Sequence, residues 1–213
     1  MDNNKFIIVN VHGEEREIDD PKIIIKAKGK NNIFKIYEPY FIQNKLYITM
    51  QSSSNIEIKK DLKVYDKLII NTTSNQSVYI DESFHCSSVT MYNWCEPYLS
   101  IKIGKNCLFS SDIVIRTSDG HTIFDLSEPN IAINSPQYGV KIGDHVWIGY
   151  GANILKDVTI EHDCMVATKS VVCSGIYKHN CIIGGVPAKI IREYINWSTD
   201  NTFNYNKKNK NLS

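Results

Sequence analysis

Isoleucine or valine returns every six residues at Ile142, Ile148, Ile154, Ile160, Val166 and Val172. A helix repeats every 3.6 residues and a half-buried strand every 2, so this spacing predicts a repeat architecture instead. Four residues after each aliphatic position comes a smaller or compact side chain: Val146, Ala152, Val158, Cys164 and Ser170. Each hexad then makes one flat face, with the aliphatic residue pointing inward and the small residue turning the corner. Three faces close a triangular turn of about 18 residues, and turns stack at about 4.8 Å. Backbone N–H and C=O groups pair with the turns above and below, as buried polar groups must.

The six-residue register also appears earlier, in broken phases. Ile36, Ile42 and Ile48 share one; Ile58, Val64 and Ile70 another; Ile80, Cys86, Tyr92 and Tyr98 a third; Ile103, Phe109 and Ile115 a fourth. Each phase change implies a loop or an irregular corner. The expected layout is an N-terminal segment over 1–19, one coil over 20–186, a helix over 187–200 and a disordered tail over 201–213. A separate antiparallel β domain before about residue 95 is the alternative, since Lys45–Met50 and Asn55–Lys59 alternate. The largest interruption falls between Arg116 and Val140. It is polar and broken by Gly and Pro, so 117–139 should leave the coil as a loop, where functional groups tend to sit. Pro187 can open a helix with Ile190, Ile191, Tyr194 and Ile195 on one face.

A formal net charge of +1 argues against broad electrostatic binding of nucleic acid or membrane. No window approaches a membrane span, and the apolar start is too short for a signal peptide. Six cysteines at 86, 95, 107, 164, 173 and 181 show no zinc-finger spacing. Cys107 and Cys164 fall in the small inward register and read as reduced core residues, which implies a cytoplasmic protein.

Several side chains stand out chemically. His121 lies in the loop, within RTSDGHTIFD. A neutral imidazole takes a proton near pH 7, yet a loop histidine is equally a solvated surface group. Asp119 is its nearest carboxylate in sequence, suited to orient the ring or to make an Asx turn. Trp147 is too large for the interior and should project outward. Gly149-Tyr150-Gly151 offers either backbone N–H groups to a developing oxyanion or a tight corner. Lys189 and Arg192, three apart on the expected helix, suit phosphates. Asn93 and Trp94 are weaker candidates for sugar contact, against core or surface packing. His145, His162 and His179 are 17 apart, one residue short of a turn, so they should drift around the edge instead of stacking and make a poor zinc site.

The order of residues over about 100–198 resembles the hexapeptide-repeat acetyltransferases, particularly bacterial capsule and lipopolysaccharide O-acetyltransferases. The resemblance rests on Ile103-Gly104-Lys105-Asn106-Cys107, Gly120-His121, Val146-Trp147-Ile148-Gly149, Pro187-Ala188-Lys189 and Trp197. It implies an all-β fold, a left-handed parallel β-helix. General topology favours right-handed crossovers, and the hexad spacing does not settle the hand. It further implies transfer of acetyl from acetyl-CoA to a hydroxyl of a surface polysaccharide or its sugar precursor. His121 is then the general base, with Trp147 beside the donor or acceptor and Gly149, Tyr150, Gly151, Thr168 and Lys169 along the cofactor arm. Lys189 and Arg192 fall at the adenosine 3′-phosphate. Cys173-Ser174 departs from the Thr-Lys that relatives often carry there. The resemblance implies no metal, and a homotrimer with sites between subunits. An amine acceptor, or a non-catalytic scaffold of the same fold, are the competing readings. With no cysteine inside the histidine loop, direct transfer is favoured over an acetyl-cysteine intermediate.

Overall fold

In the computed structural model, which describes residues 2–210, the chain winds as one parallel β-solenoid of about seven turns. Among the described residues there are twenty-four strands and one short helix. Three columns of strands form the faces of a triangular prism. The first face stacks Ile101, Val140 and Val158 in register; the second stacks Leu108, Trp147 and Met165; the third stacks Val114, Asn153 and Val171. Ile142, Ile148, Ile154, Ile160, Val166 and Val172 are all buried, as are Val146, Ala152, Val158, Cys164 and Ser170. The hexad reading of the C-terminal half holds residue by residue.

The N-terminal half belongs to the same coil, with no separate antiparallel domain. Its turns are longer: Ile33 pairs with Asn55 and Asn55 with Ser77, a repeat of 22, whereas Val140 pairs with Val158, a repeat of 18. The inward positions Ile36, Ile42, Ile48 and then Ile58 advance by two steps of six and one of ten. The extra residues all enter at the third corner, between the third face and the first, so the hexad phase breaks once per turn. Cys86 is followed inward by Met91, which leaves Tyr92 half-buried and Tyr98 exposed, contrary to the phase through Tyr92 and Tyr98.

Corners need left-handed backbone, which costs least for Asn, Asp and Gly. At the first corner the positive-φ residues are Asp61, Ser83, Asn106, His145, Asp163 and Asn180; at the third they are Asn31, Ser53, Asn75, Tyr98 and Asp157. Below the third corner run the buried polar residues Asn32, Ser54 and Gln76. Ser54 N–H donates to Asn32 Oδ1 at 3.1 Å and Thr73 N–H to Gln76 Oε1 at 2.8 Å, so these side chains take up backbone donors of the detour, while Asn32 Nδ2 itself stays buried and unpaired.

Three boundaries differ from expectation. Residues 5–9 already pair in parallel with 33–37, so the coil begins inside the segment assigned to 1–19. Over 187–200 there is no helix: Ala188–Glu193 is a strand that returns antiparallel along Cys181–Gly185. The last turn would otherwise expose a row of unpaired backbone groups, and the β-branched Ile190 and Ile191 favour the strand that covers them. The helix lies further on, at Thr202–Lys210, with no buried residue, where a disordered tail was expected; 211–213 lie outside the described residues.

Truncating an inward column residue leaves a cavity that flat, stacked neighbours cannot collapse into. Ile154→Ala should therefore cost about 2–5 kcal/mol in denaturant unfolding, while Ile176→Ala, on an outward and exposed position, should stay within about 0.5 kcal/mol. Equal tolerance at both positions would show that the columns do not carry the stability.

Candidate functional site

The long loop is an enlargement of the third corner. It leaves after the third-face strand Ile113–Arg116 and rejoins the first face at Gly139–Ile142. Lys156 and Asp157, one turn on, hold its two ends. The buried Asp157 carboxylate accepts the backbone N–H groups of Gln137 at 2.9 Å and Tyr138 at 3.0 Å. Lys156 Nζ pairs with the Asp119 carboxylate and donates to Asn134 O at 2.6 Å. Between these anchors the loop forms an antiparallel hairpin of Phe124–Asp125 with Glu128–Ala132. Its apolar side chains Ile123, Leu126, Ile131 and Ile133 are exposed, Leu126 to 90%.

His121 stands exposed at the start of this arm. Its backbone carbonyl accepts from Asn134 Nδ2 at 2.9 Å, which fixes the main chain and leaves the ring facing solvent. Asp119 does not hold that ring. Its carboxylate is taken by Lys156 and by Asn134 Nδ2 at 2.9 Å. Partial burial would raise its pKa, but these two hydrogen bonds outweigh that and hold it below the usual carboxylate value. Asp119 thus shapes the loop rather than the tautomer.

Trp147 projects outward from the second face, half-buried, between Leu108 and Met165. Within one chain this face lies across the prism from the third corner, so His121 and Trp147 are not brought together. What does meet Trp147 is Trp197, with ring centroids 6.0 Å apart. Trp197 stacks on His145 at 4.2 Å and 10°, and its Nε1–H donates to His145 O at 2.7 Å. His145 Nδ1 in turn lies 2.7 Å from Asp163 Oδ1, and His162 Nδ1 lies 2.7 Å from Asp163 Oδ2. His162 stacks on His179 at 5.0 Å and 6°, close to the spacing of the turns. Contrary to the expected drift, the three histidines line one edge and His162 stacks on His179, each engaged by a carboxylate of Asp163 or Glu161. Among the described residues no group of three or more His, Cys, Asp or Glu is arranged to hold a metal ion.

The glycine corner is closed. Gly149 N–H donates to Val166 O at 2.8 Å and Gly151 N–H to Ser111 O at 2.9 Å, so neither amide is turned toward a ligand. A Cβ on Gly149 would come within 2.8 Å of Thr168 N, which explains glycine there as close stacking of turns. Tyr150 is exposed and carries Lys169 Nζ over its ring at 4.3 Å; Thr168 is exposed beside it. Lys189 and Arg192 are exposed on the returning strand, not on a helix, with a register shift between their partners Gly184 and Ile182. Asn93 is buried: it donates to Ser77 O at 2.9 Å and accepts from Thr117 Oγ1 at 3.0 Å, so it cannot touch a sugar. Trp94 is half-buried against Tyr92, with its indole N–H lacking a partner. Burial raises the thiol pKa of Cys86, Cys164, Cys107 and Cys181, the last two to about 12, so these stay as thiols. Cys95 is exposed, and though outside the loop in sequence its Sγ lies 3.8 Å from where a Gly120 Cβ would be.

The Trp197–His145–Asp163 clamp and the Lys156–Asp157 anchor escaped the sequence reading. The one visible signal was a lone tryptophan in a polar C-terminal stretch.

Known proteins resemble this chain in part of its sequence and in its fold. Residues 139–174 match the family described as bacterial transferase hexapeptide (six repeats). The chain is 28% identical over 163 residues to a putative lipopolysaccharide biosynthesis O-acetyl transferase, WbbJ, of Escherichia coli K12, covering 73% of this chain and 76% of that one. It is 40% identical over 97 residues to the polysialic acid O-acetyltransferase of Neisseria meningitidis, covering 46% of this chain and 44% of that one. In fold it is similar to the crystal structure of the polySia-specific acetyltransferase NeuO, with a TM-score of 0.74, 21% identity, and coverage of 99% of this chain and 95% of that one. No helix among the described residues is long and apolar enough to cross a membrane.

The clamp has a pH signature. Hydrogen bonds from His162 and then His145 hold Asp163 below its ordinary pKa. A carboxyl whose folded pKa is depressed contributes stability that is complete above its unfolded value of 3.8 and is lost as pH falls through the folded value. Asp163→Asn should therefore lower the melting temperature at pH 7 and narrow its gap from the wild type below pH 3.8. A constant gap across that range would remove the carboxylate from the clamp.

Proposed function

We propose that this protein transfers the acetyl group of acetyl-CoA to a hydroxyl of a bacterial surface polysaccharide or of its sugar precursor, with His121 as general base. The observation that carries the reading is the exposed imidazole of Gly120-His121, presented on an arm anchored at both ends to a rigid coil. The functions named for the relatives WbbJ and the meningococcal enzyme support the chemistry.

The acceptor hydroxyl donates its proton to the neutral imidazole as its oxygen attacks the thioester carbon. The tetrahedral intermediate collapses, the carbon–sulfur bond breaks, and the imidazolium returns the proton to the coenzyme A sulfur. The new ester bond and the free thiol balance the step. Transfer is direct, in a ternary complex, and no metal enters it. Lys189, Arg192 and Lys169 are the cations available to the phosphates of the nucleotide end, with Thr168 and Tyr150 beside the pantetheine arm.

The site is formed between copies of this chain in a homotrimer. His121 and Trp147 lie on different sides of one prism, and the arm that carries His121 holds out Leu126, Ile131 and Ile133 uncovered. A neighbouring coil that covers those side chains places its own Trp147 near His121. The enzyme works in the cytoplasm, where acetyl-CoA is supplied.

His121→Ala should lower turnover roughly 100- to 10000-fold while acetyl-CoA still binds. The measurement is free-thiol release against a panel of capsular and lipopolysaccharide sugars. Comparable turnover would remove His121 from the mechanism, and release with free amines alone would move the acceptor from hydroxyl to amine. Cys95→Ser should leave turnover and the sequential pattern of initial rates unchanged. Parallel double-reciprocal lines in the wild type, lost together with activity in the variant, would replace direct transfer by an acetyl-cysteine route.

A further inference from the structure

We propose that Arg116 is the anion anchor of the acceptor subsite: its guanidinium pairs with a carboxylate or phosphate that the acceptor sugar carries near the hydroxyl to be acetylated. This rests on the acetyl-transfer reading and adds the class of acceptor to it.

Arg116 ends the third-face strand at the point where the histidine arm departs, five residues before His121. It is half-buried and points outward, in register with Tyr92 on the turn below, and its Cζ lies 5.8 Å from the Tyr92 ring centroid. Tyr92 packs on Trp94 at 4.7 Å, so the guanidinium sits at one end of an aromatic shelf. Stacking of this kind holds the planar fork in place without using its N–H donors. The nearby acid, Asp119, is taken by Lys156 and Asn134. The Arg116 charge also helps hold Asp119 ionised, but among the described residues no carboxylate lies within salt-bridge distance of its guanidinium.

A cavity of about 170 Å³ opens beside it, lined by Arg116, Ser118, Asp119, Leu155 and Lys156. Two cations against one carboxylate leave this recess with an excess positive charge. Its size admits a carboxylate or phosphate and the edge of a sugar ring. Trp94, which closes the far end of the shelf against Tyr92, lies outside the residues that line the cavity. The Trp94–Cys95 segment reaches the arm itself, since Cys95 Sγ lies against Gly120. Anchor, shelf and His121 thus share one corner of one chain.

The test separates binding from turnover. Titration calorimetry would use a uronic-acid oligosaccharide, the same oligosaccharide with its carboxyls reduced to hydroxymethyl groups, and a sugar phosphate of matched ring. Each would be added to wild type, Arg116→Ala and Arg116→Lys, with folding checked by circular dichroism. A charge-assisted pair of this type reads as roughly tenfold or more in affinity. The wild type should bind one charged ligand at least that much better than the reduced one, and which charged ligand wins identifies carboxylate or phosphate. Arg116→Ala should erase the preference, and Arg116→Lys should keep part of it, as a point charge without the fork. Equal binding of charged and reduced ligands, no binding of either, or a preference that survives in Arg116→Ala overturns the anchor. Arg116-dependent binding of a ligand that is never acetylated would leave the anchor standing and overturn the acetyl-transfer reading instead.

Discussion

Everything in this molecule depends on in-register stacking of inward aliphatic side chains along a parallel coil. Each inward residue touches its equivalents one turn above and below, so burial is shared along a column rather than gathered in a single centre. Ile142, Ile148 and Ile154 are each buried although each sits in a strand of only two to four residues. Such short strands have no stability of their own. They persist because every backbone group pairs with a neighbouring turn and because fully burying one aliphatic side chain contributes about 1.5–3 kcal/mol. The turn then has little freedom: a residue inserted within a face would send its inward side chain to solvent, as it would in any strand.

Insertions are therefore favoured at corners, and beyond the N-terminal turn, where Glu15–Glu17 folds back on Lys5–Val9, the longer ones gather between the third face and the first. The 22-residue turns of the N-terminal half and the histidine arm of the C-terminal half are both enlargements of the third corner. The earlier turns meet the cost with the buried ladder of Asn32, Ser54 and Gln76, which returns hydrogen bonds to the detouring backbone. The arm meets it with Asp157, whose one carboxylate oxygen accepts from both Gln137 and Tyr138. The histidine arm sits where the fold already tolerates length, with residues of the next turn acting as its anchors.

What was legible in the sequence follows from this division. The columns were legible because burial forces the same residue class every six positions, and that period survives without any knowledge of contacts. The arm was legible as an interruption of the period, and His121 as the imidazole within it. Less could be seen where a residue's role is set by a partner far away in sequence. Asp119 looked like a partner for His121 because it is two residues away, yet Lys156, 37 residues on, takes it. Asn93 stood beside Trp94 as a weak candidate for sugar contact against core or surface packing, yet Thr117 and Ser77 enclose it. Lys189 and Arg192 suggested a helix because apolar residues at 190, 191, 194 and 195 fit that period. The open edge of the last turn decided for a strand, and an edge is a property of the finished sheet rather than of the local sequence.

The clamp at the first corner shows how small energies are used for direction. A half-buried, solvent-touched pair such as His145 with Asp163 contributes about 0–1 kcal/mol, and an aromatic stack about 0.5–1.5 kcal/mol. Neither competes with a buried column, and the coil would close without them. They act on what the columns leave undetermined: the path of the chain after Glu193 and the face of the Trp147 ring. Asn180 ties Ile195 back by two hydrogen bonds of 2.9 and 3.0 Å, Asn196 reaches Asp163 at 3.3 Å, and Trp197 is delivered onto His145. One side of the Trp147 indole is thereby covered by a residue from beyond the coil. Whatever approaches the second face meets Trp147 in an orientation set by its own C-terminal segment, while the rigid columns beneath keep the register of the tryptophan itself.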